Sequence, residues 1–198
     1  MPAPLSIEAK TEYRRRLLDV AARLYVQFGR NGLSMRRLAA EFGCSTMALY
    51  RWYKNKDEIV IALRTSGFNR MGEALEAAFA KKGSARKRHS AVVSAYFAFA
   101  KANPNFYRAL FDVFFDESTA TPELQKARDR LLVPMKAHAE LIREEHLDVD
   151  LQSFATQMWA ALHGAILLDD VGLYGADVLR LHEATIDALV ERYRSGNR

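Results

Sequence analysis

The chain has 198 residues, 49% of them apolar and 27% charged, a composition that fits a globular fold and excludes a disordered one. Its one cysteine, Cys44, excludes an internal disulfide framework and any multi-cysteine zinc site, and it fits a reducing, cytoplasmic setting. The net charge of +5 is unevenly spread: residues 1–57 hold eleven Lys/Arg against five Asp/Glu, and residues 58–198 hold eighteen against nineteen, which points to a polyanion partner for the first part.

Met1 to Leu5 carry no basic stretch leading into an apolar run, so no signal peptide is expected. The first helix is read from Leu17, Leu18, Ala21, Leu24, Tyr25 and Phe28, one apolar face at helical spacing, with Gly29 and Gly32 as its stop. Ser34 caps a short second helix whose inner face is Leu38, Ala39 and Phe42, and Gly43 breaks it. Ser45 caps a third, with Leu49 and Tyr53 turned inward and Thr46, Ala48, Tyr50, Arg51 and Trp52 outward. Asn55 followed by Glu58 three residues on is the cap-and-box pattern of a fourth helix, running from Lys56 toward Lys82.

Further helices are expected over residues 86–102 and 106–115, and from Thr121-Pro122 onward, where Pro134 must kink or split the helix. The last two are expected over 150–171 and 176–193. No segment alternates with the period of a strand. The longest apolar stretch, Trp159 to Leu168, is broken by His163 and falls far short of the ~20 residues of a membrane span, so no membrane partner is expected.

Three short helices with a tight Gly43 turn between the second and third match the helix-turn-helix arrangement, whose third helix needs a polar outer face. Residues 14–63, RRRLLDVAARLYVQFGRNGLSMRRLAAEFGCSTMALYRWYKNKDEIVIAL, resemble the DNA-binding domain of the tetracycline-repressor (TetR) family. The residues that carry the likeness are Ala21-Ala22, Tyr25, Phe28, Gly32, Leu38-Ala39, Gly43-Cys44-Ser45, Leu49-Tyr50, Tyr53 and Lys54-Asn55-Lys56-Asp57. Trp159-Ala160-Ala161-Leu162-His163-Gly164 is similar to the Trp…His-Gly signature of one C-terminal domain type in that family.

The resemblance implies an all-α fold of about nine helices. A helix-turn-helix DNA-binding domain would occupy residues 1–56, and a helical-bundle ligand-binding and dimerisation domain residues 57–198. It implies double-stranded DNA as partner, a homodimer, and a small-molecule effector that releases a repressor from a palindromic operator. By position, Arg36 reaches the DNA backbone or a base, Thr46 and Ala48 face bases, and Tyr50 and Lys56 contact phosphate. Ser45 caps the recognition helix, and Arg51 and Trp52 complete its outer face. Trp52 departs from the family pattern, where histidine is usual. Cys44 replaces a common valine and is read as a buried thiol.

Eight of the chain's aromatic residues crowd into positions 96–115: Tyr96, Phe97, Phe99, Phe106, Tyr107, Phe111, Phe114 and Phe115. A ligand wall is expected from Phe99, Tyr107, Phe111, Met135, His138, Met158, Trp159 and His163. The nearby acids Asp112, Asp116 and Glu117 tilt the expected ligand toward a cationic or amine-bearing compound. The last two helices offer Ala161, Ala165, Leu168, Ile186, Leu189 and Tyr193, within stripes that include Leu179, for a four-helix interface between two copies. No Ser/His/Asp order, metal-ligand spacing or glycine-rich phosphate loop is present, so no enzyme activity, cofactor, metal or catalytic residue is expected. The alternative readings are an effector-independent regulator and a helical adaptor without a ligand.

Overall fold

The computed structural model describes residues 6–112, 115–172 and 178–194. Phe114, Ala176 and the side chain of Leu179, all used in the sequence reading, lie outside them, as do Met1 to Leu5. The described residues form ten α-helices and no strand. They are α1 (Ile7–Gly32), α2 (Met35–Phe42), α3 (Thr46–Tyr50), α4 (Lys56–Phe79) and α5 (Ala85–Ala102), then α6 (Pro104–Leu110), α7 (Pro122–Asp129), α8 (Leu132–Glu144), α9 (Leu151–Asp170) and α10 (Val178–Arg194), with a 3-10 turn at Glu117–Thr119. The all-α class expected from the sequence is the class observed. Pro134 splits its helix: it falls in the first turn of α8, where a missing backbone N–H breaks no helical bond. No described helix is long and apolar enough to cross a membrane.

The chain divides into two compact units, Met1–Asn69 with Asn103–Arg128, and Arg70–Ala102 with Asp129–Arg198. In the first, α1 buries Leu17, Leu18, Ala21, Ala22, Leu24 and Tyr25. Its regular course is interrupted at Gly29, whose φ of 66° and ψ of 178° are open to glycine and strained for other residues. Phe28, expected on the buried face, is instead 43% exposed, and the Arg37 guanidinium lies over its ring at 4.1 Å. Phe28 keeps the helical register, one residue before the interruption, but its ring is covered by a guanidinium in place of the core. Across the unit α6 packs on α1, and the Tyr25 hydroxyl donates to Asp112.

In the second unit α5 packs on α8, α8 on α9, α9 on α10, and α10 returns to α5. Val92, Tyr96, Phe99, Ala137, Leu141, Phe154, Met158 and Val190 fill the centre. Asp150 caps α9 by accepting from Ser153 N at 2.9 Å. This core also holds three histidines: His89 (2% exposed), His138 (6%) and His182 (2%). His89 Nε2 and His138 Nδ1 are 3.0 Å apart, within hydrogen-bond reach, and neither ring nitrogen of His182 has a partner. Burial opposes the charged form. It brings His89 down to about 3, His138 to about 4 and His182 to about 4, all from 6.5. Among the described residues no group of three or more His, Cys, Asp or Glu is placed to hold a metal ion.

Candidate nucleic-acid interface

Each boundary of the α2–α3 motif is set by a local hydrogen bond. Ser34 Oγ accepts from Arg37 N at 3.2 Å and starts α2. Gly43, left-handed at φ 79°, stops it, and the N–H groups of Gly43 and Cys44 both return to Ala39 O at 3.0 Å. Two residues on, Ser45 Oγ accepts from Ala48 N at 3.1 Å and starts α3. The turn is thus closed from both sides, which fixes the direction in which α3 leaves it. Asn55 Oδ1 accepts from Glu58 N at 2.9 Å, and the Glu58 carboxylate accepts from Lys54 N at 2.7 Å, so the start of α4 is capped by the expected pair.

With α3 aimed, its faces separate. Leu49 is fully buried and Tyr53 is 4% exposed, sealing the helix onto the unit. On the other side Tyr50 and Arg51 are exposed, Thr46 and Ala48 are half-buried, and Arg36 of α2 is exposed. Met47, which sequence reasoning passed over, is 71% exposed. Thr46, Met47 and Tyr50 follow the i, i+1, i+4 spacing of one helical face, and that spacing was the available signal. The face offers a hydroxyl, a thioether, a phenol and a guanidinium, a mixture able to bond to phosphate and to base edges.

Lys56 and Trp52 sit differently from their neighbours. Lys56 is half-buried, with Nζ donating to Arg30 O at 3.3 Å, while Arg30 pairs with Asp57 at 3.2 Å. The cation at the start of α4 is therefore held against the end of α1. Trp52 stacks on Tyr13 of α1, ring centroids 5.4 Å apart and planes 22° from parallel, and the Arg14 guanidinium lies 5.9 Å from the indole. Tyr13 also meets Phe42 edge-on at 4.9 Å. Trp52 has a packing role inside the unit, which accounts for an indole where the family pattern has histidine. Cys44, read from sequence as buried, is half-buried; burial first, then a hydrogen bond with Cys44, pushes the Tyr13 hydroxyl up to about 12.

The residues expected around a ligand are divided between the units. Tyr107 (buried) and Phe111 (half-buried) lie in the first; Phe99, His138 and Met158 (buried), Met135 and His163 (half-buried) and Trp159 (46% exposed) lie in the second. Trp159 donates from Nε1 to the Tyr96 hydroxyl at 3.1 Å and stacks on His163. Two hollows within single units are lined by none of the eight. One, of about 520 Å³ in the first unit, is walled by Tyr25, Arg30, Arg108 and Asp112; the other, of about 200 Å³ in the second, by Arg86, His89, Glu183 and Asp187. The expected cationic ligand loses its support. Asp112 accepts from Tyr25, Asp116 caps the 3-10 turn through Ser118 N, and Glu117 pairs with Arg128.

Of the six expected interface residues, Ala165 and Ile186 are each 7% exposed and already packed within their own subunit, so they have little surface left for a second copy. Ala161, Leu189 and Tyr193 are half-buried, Tyr193 accepting from Gln157 Nε2 at 2.7 Å, and Leu168 is 40% exposed. On α9, its C-terminal turn and α10, the large apolar side chains left in solvent include others: Trp159, Leu167, Val171 and Leu181 beside Leu168.

A basic N-terminal unit with a capped, outward-facing third helix defines a helix-turn-helix DNA-binding protein. Residues 17–63 match the model of the TetR family of bacterial regulatory proteins, and residues 90–193 match that of a tetracyclin repressor-like C-terminal domain. The chain belongs to the TetR family and is a DNA-binding transcriptional regulator. It is 24% identical to the HTH-type transcriptional regulator Rv1816 of Mycobacterium tuberculosis, over 91% of this chain and 90% of the relative. Among solved structures, a Rhodococcus sp. RHA1 protein of unknown function is 27% identical, with a TM-score of 0.75 over 92% of this chain and 95% of that one. The Bacillus subtilis transcriptional regulator FadR, solved in complex with stearoyl-CoA, shares the fold at 16% identity, with a TM-score of 0.69 over 93% of this chain and 99% of that one.

Proposed function

We propose that the protein is a cytoplasmic homodimeric repressor that is released from a palindromic operator by a small, largely apolar ligand. The observation that carries the DNA half of this reading is the outward face of α3. It is a polar surface with Met47 at its centre, on a helix fixed by Ser45 and sealed by Leu49 and Tyr53. In this reading Arg36, Tyr50, Arg51 and Lys56 hold phosphates while Thr46, Met47 and Ala48 meet base edges, and residues 57–198 carry ligand and dimer contacts. Lys56 would have to exchange Arg30 O for a phosphate oxygen, a change of partner that costs little at a half-buried ammonium.

Dimerisation is supported by Trp159, Leu167, Leu168, Val171 and Leu181, a group of exposed apolar side chains on α9, its C-terminal turn and α10 that a second copy would cover. The ligand half is supported by the fold shared with FadR, solved with a fatty acyl thioester bound. Selection of bound sequences from a random DNA pool, followed by gel shifts, tests the reading: a two-fold symmetric consensus is expected. Lys56→Ala and Tyr50→Phe should weaken all sequences alike, whereas Thr46 and Met47 variants should change which sequence is preferred. An asymmetric consensus, or sequence preference untouched by Thr46 and Met47, would overturn it.

A further inference from the structure

Arg64 of α4 is 4% exposed. Its guanidinium donates from Nη1 to Ala109 O at 2.9 Å and lies 3.9 Å from the Phe115 ring centroid, while the buried Nε has no hydrogen-bond partner. A second guanidinium, that of Arg128 on α7, stands 5.7 Å from the same Phe115 ring. Both guanidiniums also stand 5.8 Å from Phe68. Two cations therefore share one pair of aromatic faces. Burial first, and then the charge of Arg128, bring Arg64 down to about 10.

Glu117 is the carboxylate that pairs with both, and the charge of Asp112 also acts on Arg64. Glu117, on the 3-10 turn, holds Arg128 through two bonds at 2.5 and 2.9 Å, but its nearer oxygen is 4.0 Å from Arg64 Nη2, beyond hydrogen-bond reach. The exposures run the opposite way from an ordinary buried ion pair: the Glu117 side chain is 63% exposed, against 4% for Arg64 and 20% for Arg128. The acid reaches in from solvent to a covered pair of cations, and it satisfies the more deeply buried one least. A carboxylate not tethered to the 3-10 turn could approach both guanidiniums in their planes, the geometry in which the bond is strongest. The flanking Phe68 and Phe115 rings would accept the apolar part of the same molecule.

We propose that Arg64 and Arg128 form an acid-binding subsite, that Glu117 occupies it in the ligand-free protein, and that the effector is an organic carboxylate whose head group takes the place of Glu117. This rests on the ligand-release reading above and narrows it from apolar compounds in general to apolar acids.

The test uses purified full-length protein and a panel of straight-chain alkanoates and arylacetates, each with its matched alcohol, amine and alkyl phosphate. Binding is followed by calorimetry. Some acid should bind at least about tenfold more tightly than its alcohol and amine. Glu117→Gln, an exposed substitution that removes the internal competitor, should tighten that acid by about tenfold, and Arg128→Gln should weaken it by at least as much. Acid and alcohol binding equally, a phosphate binding more tightly than its carboxylate, no acid binding at millimolar concentration, or a Glu117→Gln variant no tighter than wild type would each overturn the proposal. DNA titrations in parallel keep the two readings apart. An acid that obeys these substitutions yet leaves DNA affinity unchanged supports the subsite and overturns release. A ligand that releases DNA but ignores both substitutions supports release and overturns the subsite.

Discussion

The two units of this chain solve opposite problems with buried and exposed polarity. Around α2 and α3 the interior is apolar but for the buried Tyr53 hydroxyl, and the other polar groups are spent at the rim, on three serine or asparagine caps and an outward helix face. In the α5–α8–α9–α10 bundle the interior itself is polar in places, with His89, His138 and His182 enclosed and held neutral. A rim of caps aims a helix without weakening the core beneath it. Enclosed histidines leave a core whose stability depends on protonation, so the two units should answer to different solution conditions.

Salt should separate them most. If a dimer neutralises roughly 6–10 phosphates through the first unit, operator affinity should fall about 10³–10⁵-fold between ~50 and ~200 mM salt, with helix content by circular dichroism unchanged. A flat salt response in a gel-shift titration would show that the basic unit does not bind through phosphates.

Acid should do the converse. The unfolded chain protonates its histidines near 6.5, whereas the folded bundle holds His89, His138 and His182 neutral until about 3 to 4. Between those values the unfolded state binds more protons. Stability is thus complete above pH 6.5 and falls as pH drops toward 4, by about 2 kcal/mol per histidine between pH 7 and pH 5. Thermal melts at the two pH values measure it. His182→Leu, which replaces a ring with two unpartnered nitrogens, should remove about a third of the pH dependence. An undiminished slope in that variant would place the proton uptake elsewhere.

Within the first unit, core and cap should differ in size. Leu49→Ala empties a fully buried position under the recognition helix and should cost about 2–5 kcal/mol in thermal or urea unfolding. Ser45→Ala removes one cap and should cost about 1 kcal/mol. Equal effects of the two would mean that the cap, and not the apolar seal, holds α3 in place.

The same contrast explains what could be read in advance. Ser34, Gly43, Ser45 and Asn55 act on neighbours three or four residues away, so their roles lie in the sequence itself. Trp52 could not be read that way, because its partner is Tyr13 on a different helix. Phe28 looked buried because it continues the apolar spacing of α1, yet its ring meets Arg37 of α2, a neighbour that spacing does not reveal. In the bundle, each of the three histidines taken alone resembles an isolated polar residue, and they meet only when α5, α8 and α10 pack. The acids Asp112 and Glu117 suggested a cation until their partners Tyr25 and Arg128 were located. Local chemistry is legible in one dimension; a residue whose meaning is its distant neighbour is not.

The chain's two tryptophans fall one to each unit, and each is fixed by its surroundings: Trp52 on the Tyr13 ring, Trp159 stacked on His163 with its indole N–H on Tyr96. The protein therefore carries a native chromophore in each half. With Trp159→Phe, the remaining emission reports the packing of α1 against the recognition-helix turn. With Trp52→Phe, it reports the exposed side of mid-α9, where the proposed second copy would dock. For the ligand-released dimer proposed above, operator binding and dimer dissociation would be two separate optical signals from unlabelled protein, and the order in which they change on adding a ligand would give the direction in which the message travels.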